Sequence, residues 1–227
     1  MTVHSTSISR SSELAPVTSR HANANGGVYR LVFKRTFDVT AVLIALPFVL
    51  PFLTLIGLII ATDGSSPVFR QERVGKDGRR FVLWKFRSMV PDAEEQLEQH
   101  LSEDETARQE WDAKQKLSTD PRVTRIGRIL RRTSLDELPQ ILNVLKGEMS
   151  LIGPRPMMPC QQALYPGQAY YQLRPGMTGS WQVSARHNSD FAERAMFDDQ
   201  YDRELSFATD LRILRDTVRA VCRGTGV

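Results

Sequence analysis

Polar and apolar positions are unevenly distributed along this chain. Residues 1–29 are rich in Ser, Thr, Asn and Ala, with Gly26-Gly27 near their end, and show no apolar period. That composition predicts a disordered tail. Val39 to Ala61 then runs without a single charge. A straight helix over that stretch would be roughly 34 Å long, enough for a bilayer core of about 30 Å. The apolar run begins too far in for a signal peptide, and no small-residue cleavage site follows it. Pro47 and Pro51 lie near its middle, where each removes a backbone donor and bends a helix. Lys34 and Arg35 precede the run, and Arg70, Arg73, Lys76, Arg79 and Arg80 follow it. Basic flanks on both sides place both ends in the cytoplasm, which a re-entrant hairpin satisfies and a straight span does not. A buried core helix is the soluble alternative. Asp38, at the edge of the run, needs a partner, and Lys34 or Arg35 is expected to provide it.

Beyond the run the pattern shortens. Val68–Arg73 and Arg80–Lys85 read as two strands around the turn Gly75–Gly78. Pro91–Leu117 is a charged helical segment anchored only by Leu97, Leu101 and Trp111, a solvated helix or flap. A metal site at Glu103-Asp104-Glu105 is the less favoured reading there. Asp120-Pro121 is expected to open a basic amphipathic helix with Val123, Ile126, Ile129 and Leu130 on one side and Arg122, Arg125, Arg128, Arg131 and Arg132 on the other. Such a helix suits a membrane surface, or a core with its arginines in water.

The next helix shows an apolar face of Leu135, Leu138, Ile141, Leu142 and Leu145, with Asp136, Gln140 and Asn143 opposite. Ser134 and Glu137 have capping-box spacing, Pro139 confines the start to the first turn, and Lys146-Gly147 reads as the stop. A helix over Leu164–Leu173, a strand at Trp181–Val183 and helix from Asp190 to Cys222 complete the prediction. In that last segment Leu211, Leu214, Val218 and Val221 lie between arginines, a second membrane-surface pattern.

Charge and composition add limits. The 227 residues carry 30 basic and 26 acidic side chains, a net charge of +4. That balance does not call for nucleic acid, but clustered bases suit an anionic membrane surface. Cys160 and Cys222 are too few for a disulfide framework, and the four histidines have no zinc spacing.

The chemistry concentrates in Arg131–Pro156. Asp136 and Glu137 are adjacent at a helix start, which is expected to hold a carboxylate ionised. Such a group can attack phosphorus or bind a hard cation such as Mg²⁺. Arg131 upstream and Arg155 in the Pro-Arg-Pro turn offer guanidinium forks for phosphate oxygens. Taken alone, the carboxylates are more simply a complement to the helix dipole. Lys85, Arg87 and Ser88 put two cations and a hydroxyl within four residues. There is no D-x-D, P-loop or G-x-S-x-G motif.

Five motifs occur in order: K-R-T-F-D at Lys34–Asp38, K-F-R-S-M at Lys85–Met89, S-L-D-E-L-P-Q at Ser134–Gln140, G-P-R-P at Gly153–Pro156 and R-P-G-M-T-G at Arg174–Gly179. Together they resemble the bacterial sugar transferases, monotopic phosphoglycosyl transferases that start glycan assembly on undecaprenyl phosphate. The short layout is similar to the exopolysaccharide galactosyl-phosphate transferases of rhizobial type. The resemblance implies a mainly α fold with a small β element. It divides the chain into a re-entrant membrane helix–break–helix over 30–62 and a compact cytoplasmic catalytic domain over 63–227 with interfacial amphipathic helices. It places the protein at the cytoplasmic face of the bacterial inner membrane, with a UDP-sugar and undecaprenyl phosphate as partners and Mg²⁺ as cofactor, and leaves a homo-oligomer open.

The implied site has Asp136 and Glu137 as catalytic and Mg²⁺-binding residues. Lys85, Arg87, Arg131, Arg155, Arg174, Gln182 and Arg186 are phosphate and substrate contacts. Family members carry glycine at the position of Ala185 and often isoleucine at that of Met177, a departure that bears on the local loop. A conventional glycosyltransferase releasing UDP and a non-catalytic scaffold of an export complex are the alternative functions.

Overall fold

The computed structural model describes residues 27–62, 65–114, 117–184 and 190–223. The tail over 1–26 and Arg186 lie outside them. Residues 27–29, assigned to the tail from composition, are helical. They lead through a wide turn at Tyr29–Phe33 into helix α1, Lys34–Ala61.

α1 runs through Pro47 and Pro51 as one helix, so the expected break is not an interruption of helical structure. The prolines are four residues apart, so both lost donors fall on one side. Only 6% of its most apolar window is buried, which rules out the core-helix alternative. Ile44, Phe48, Phe52 and Leu58 face outward. By length and composition α1 is able to enter a membrane. Its inner side rests on the domain: Val42 packs with Phe81, Leu83, Ile141, Val144 and Met149, and Ile60 with Phe86 and Leu130.

Polar contacts tie down the foot of α1. Lys34 Nζ is 2.8 Å from Asp210 Oδ2, and Tyr29 donates to the same oxygen at 2.7 Å. Asp38 accepts from the Leu151 N–H at 3.1 Å. The expected Asp38 ion pair is therefore replaced, because Lys34 is committed to Asp210. Arg35 instead donates to the carbonyls of Val144 (2.6 Å) and Leu145 (3.0 Å).

β1 (Val68–Val74) and β2 (Arg80–Phe86) form the expected antiparallel hairpin, from Val68↔Phe86 to Val74↔Arg80. Period two puts Phe81, Leu83 and Lys85 on one face. The charged segment is two helices, α2 (Ala93–Glu103) and α3 (Glu105–Lys114). Asp104 separates them, its Oδ1 accepting from the N–H groups of Thr106 and Ala107. Leu101, Ala107 and Leu117 bury a small core of their own beneath Trp111, so the segment is not a bare solvated helix.

α4 spans Arg125–Thr133, and Thr124 caps it by accepting from the Gly127 N–H at 2.9 Å. Asp120 does not open it. Its carboxylate grips Arg122 instead, at 2.8 and 2.6 Å. A Cβ on Gly127 would lie 1.9 Å from the Ser88 carbonyl, so only glycine lets α4 approach β2's end. Leu130 alone of the expected apolar face is buried, while Ile126 and Ile129 are exposed among the arginines.

Two further expectations fail. Pro166-Gly167 breaks the helix expected over Leu164–Leu173, leaving a 3-10 turn at Pro159–Leu164 and α6 at Ala169–Gln172. Trp181–Val183 is helical, in α7 (Ser180–Ser184), and the strand lies just before it. This β4 (Gly176–Thr178) pairs in parallel with β3 (Ser150–Ile152). A Cβ at Gly176 would meet Gly153 N at 2.1 Å, so the close backbone approach needs glycine there.

The C-terminal segment is two helices, α8 (Arg194–Glu204) and α9 (Phe207–Cys222), with Ser206 capping the second. α9 turns Thr209, Asp210 and Ile213 inward and leaves Phe207, Leu211, Val218 and Val221 exposed.

Candidate functional site

The two carboxylates lie where α4 gives way to the next helix. Ser134 has φ 56°, the left-handed conformation that closes α4, and its side chain makes no cap. An N-cap needs extended backbone, so the expected capping box does not form. Leu135–Gln140 is a 3-10 turn containing Pro139, and α5 (Ile141–Lys146) follows. Gly147, at φ 84°, ends α5 as expected.

The polar side is turned inward here along with part of the apolar one. Asp136, Gln140 and Asn143 are buried together with Ile141, whereas Leu142 is exposed. Asn143 explains why the polar side is inside. Its Oδ1 accepts from the Trp84 N–H at 3.1 Å, and its Nδ2 donates to Val82 O at 2.7 Å and Glu148 Oε2 at 2.6 Å. A buried amide satisfied this way locks the turn onto β2. That contact puts Asp136 and Glu137 beside the inward end of the hairpin.

Asp136 is 6% exposed. Burial, then the neighbouring Glu137, pushes its carboxyl above the usual range, against Lys85, Arg131 and Arg155. The low value expected from a helix start does not hold, because a short 3-10 turn has little dipole to offset burial. Arg155 Nη2 is 3.0 Å from Glu137 Oε1, and that carboxylate raises the guanidinium. Arg131 donates from Nε to Ser88 Oγ at 3.0 Å. Burial lowers the Lys85 ammonium to about 8, with Asp136 opposing. Asp136, Glu137, Lys85, Arg131 and Arg155 are thus brought together.

Other expected contacts lie elsewhere. Arg87 donates to Ser66 O at 2.9 Å and Ile60 O at 3.4 Å, holding the end of α1. Arg174 donates to Gly147 O at 3.0 Å, beside Arg35 at the end of α5. Gln182 is buried, with Nε2 3.5 Å from Met177 O and Oε1 lacking a partner.

Two arginines were missed. Burial, then Arg155, lowers Arg73 to about 10 and Arg194 to about 9. Arg73 could have been found by register, since it faces Phe81 across the hairpin and shares that inward face with Lys85. Arg194 has no local signal, because the packing of α8 against α6 and α7 carries it in. Its guanidinium lies 4.2 Å from the Trp181 ring centre and 4.5 Å from that of Phe191.

Arg73, Lys85, Arg131, Arg155 and Arg194 thus gather around Asp136 and Glu137, with Asp120 beside Arg131 and Asp198 beside Arg194. An arrangement of this kind can attract a polyanion and sets a carboxylate oxygen among groups able to bind phosphate. Among the described residues no group of three or more His, Cys, Asp or Glu is placed to hold a metal. Asp136 and Glu137 offer two hard oxygen donors, which suits a Mg²⁺ ion completed by substrate oxygens.

The profile described as bacterial sugar transferase matches residues 29–224. The chain belongs to that family. Among its members, the UDP-galactose-lipid carrier transferase of Erwinia amylovora is 46% identical over 195 residues, covering 85% of this chain and 41% of the relative. Exopolysaccharide production protein ExoY of Rhizobium meliloti is 43% identical over 196 residues, covering 85% and 87%. The undecaprenyl-phosphate galactose phosphotransferase of Salmonella typhimurium is 42% identical over 195 residues, covering 85% and 41%. The chain spans about two-fifths of the Erwinia and Salmonella family members and most of the Rhizobium one.

Proposed function

We propose that this protein transfers a sugar-1-phosphate from a UDP-sugar to undecaprenyl phosphate and releases UMP. The observation that carries the reading is Asp136: a buried carboxylate among Lys85, Arg131 and Arg155, in a domain seated on an exposed apolar helix. The names of the relatives, which cite a lipid carrier, undecaprenyl phosphate and galactose, support the substrate classes. Galactose or glucose is the sugar this favours, the latter from a relative named as a glucose phosphotransferase.

In this reading an ionised Asp136 oxygen attacks the phosphorus that bears the sugar. The bond from that phosphorus to the bridging oxygen breaks, and its electrons leave on UMP. A phosphate oxygen of the lipid then attacks the same phosphorus and returns Asp136 to a carboxylate. Two half-reactions suit one soluble and one lipid substrate, because they need never be bound together. Lys85, Arg131 and Arg155 stabilise charge on the phosphoryl oxygens. The raised carboxyl makes Asp136 a more basic nucleophile once ionised. Mg²⁺, held by Asp136 and Glu137, would supply neutralisation of the diphosphate.

At the membrane this reading has α1 enter and return within one leaflet, a path its continuous helix would take by bending at Pro47 and Pro51, with the domain on the cytoplasmic face. The exposed apolar and basic faces of α4 and α9 suit the headgroup layer.

The test is a labelled UDP-sugar supplied without lipid. Label should remain on the protein and UMP should appear, and both should vanish in Asp136→Asn. Continued UMP release by Asp136→Asn would overturn the covalent route. Release of UDP would favour a conventional glycosyltransferase, and an inert Asp136→Ala substitution a scaffold.

A further inference from the structure

The charged cluster has two ends joined by Arg155. Asp136 is surrounded by Glu137, Lys85, Arg131 and Arg155. The charged neighbours of Arg194 are instead Arg155, Asp198 and Arg73. The second end contains unusual groups. Among the described residues, buried side-chain polar atoms without a hydrogen-bond partner are Arg73 Nε, Arg194 Nε and Gln182 Oε1. Two of the three are guanidinium nitrogens. Neither Arg73 nor Arg194 has a carboxylate within ion-pair distance among the described residues.

Leaving a buried cation unpaired is costly. Asp198 is the acid nearest in charge to Arg194, but its Oδ2 accepts from the Tyr165 hydroxyl at 2.7 Å. Burial also pushes its carboxyl up to about 7, so near neutral pH it balances Arg194 only in part. Tyr170 is spent as well, donating to Val74 O and accepting from the Met157 N–H. Arg194 is nonetheless held in a fixed plane, stacked against Trp181 and Phe191 at 4.2 and 4.5 Å. A guanidinium fixed by rings and lacking an acid is preorganised for a planar, bidentate anion.

We infer that Arg73 and Arg194 bind the nucleotide-side phosphate of the donor, the one that departs as nucleoside monophosphate. The assignment rests on the reaction proposed above and deepens it. In-line attack requires the leaving oxygen to lie on the far side of the reacting phosphorus from Asp136. The phosphate beyond that oxygen then falls at the end of the cluster that Arg194 and Arg73 occupy. When the bridging phosphorus–oxygen bond breaks, its electron pair stays on the nucleotide oxygen, and the two guanidinium groups meet the charge that develops there. Lys85 and Arg131 stay with the phosphoryl group that is transferred. Displacement of Asp136 is in line as well, so the acceptor phosphate of the lipid enters from the side that UMP has vacated and meets the same two arginines.

Binding of UMP and of uridine is the discriminating measurement, made by equilibrium dialysis on the full chain in detergent with Mg²⁺. Arg194→Gln and Arg73→Gln should each weaken UMP at least tenfold and leave uridine, which has no phosphate, within twofold of wild type. Arg194→Lys, which keeps the charge and loses the planar fork, should fall between. Unchanged UMP affinity in both glutamine variants would overturn the inference. So would equal weakening of UMP and uridine, the mark of a loosened fold. The nucleotide that the wild type releases on turnover judges the reaction itself, and the variants judge only this assignment.

Discussion

Charges are buried in two places in this protein, with opposite bookkeeping. At the foot of α1, Lys34, Asp210, Tyr29 and Tyr201 satisfy one another: Asp210 accepts from Lys34 and Tyr29 on one oxygen and from Tyr201, at 2.6 Å, on the other. Around Asp136 the cations outnumber the carboxylates, and two guanidinium nitrogens have no partner. The first arrangement is complete within the chain and holds the apolar helix to the domain. The second leaves cation charge unmatched within the chain, which the proposed donor would meet. Burial alone therefore does not distinguish a structural charge from one kept for a ligand; the count of partners does.

The largest test of that contrast is Asp136→Asn. Turnover should fall at least about a thousandfold, as for loss of a nucleophile, while the melting temperature stays the same or rises as a buried charge is removed. Asp210→Asn should do the reverse. Breaking a buried pair costs about 3–5 kcal/mol, so the melting temperature should drop while the protein that remains folded still turns over. Equal effects of the two substitutions on stability would erase the distinction.

Arg155→Lys comes next. It keeps the charge and loses the fork, so kcat/KM should fall about 10- to 100-fold. The pH dependence follows from Lys85. Its folded value of about 8 lies below the ordinary 10.5. Above pH 8 the folded protein loses this cation, so kcat/KM should decline. Between about pH 8 and 10.5 the unfolded chain binds the proton that the folded one lacks, so this group's contribution to stability rises with pH. Lys85→Arg should shift the alkaline decline upward; an unmoved limb would remove Lys85 from the charge count. Arg174→Lys should have the smallest effect. Its bond to Gly147 O is structural, so about 1 kcal/mol of stability and less than about threefold in KM are expected.

Much of the site was legible because its signals are local. The carboxylate pair, Arg131, Lys85 and the Pro-Arg-Pro turn lie in short runs whose residue types already imply phosphate chemistry. Arg155, expected to face phosphate, lies beside the pair, 3.0 Å from Glu137. Arg87 and Arg174 carry the same local signal and donate to backbone carbonyls. Composition cannot tell a guanidinium aimed at a ligand from one that closes a helix end.

The linear order of residues was enough for the apolar helix, the two strands of the hairpin, the α5 stop at Gly147 and the predominance of helix, since each follows from periodicity or from one residue's backbone preference. It placed Ile141 inward correctly and missed the burial of the polar side of the 135–146 segment, because amphipathic reasoning assumes that this side meets water. Here Asn143 finds three partners inside, and the polar side turns to the core with Asp136 on it. Only packing brought in Arg194, from a helix that starts more than fifty residues after Asp136. Long-range contacts like these depend on which buried groups find partners, and no window of neighbouring residues contains that information.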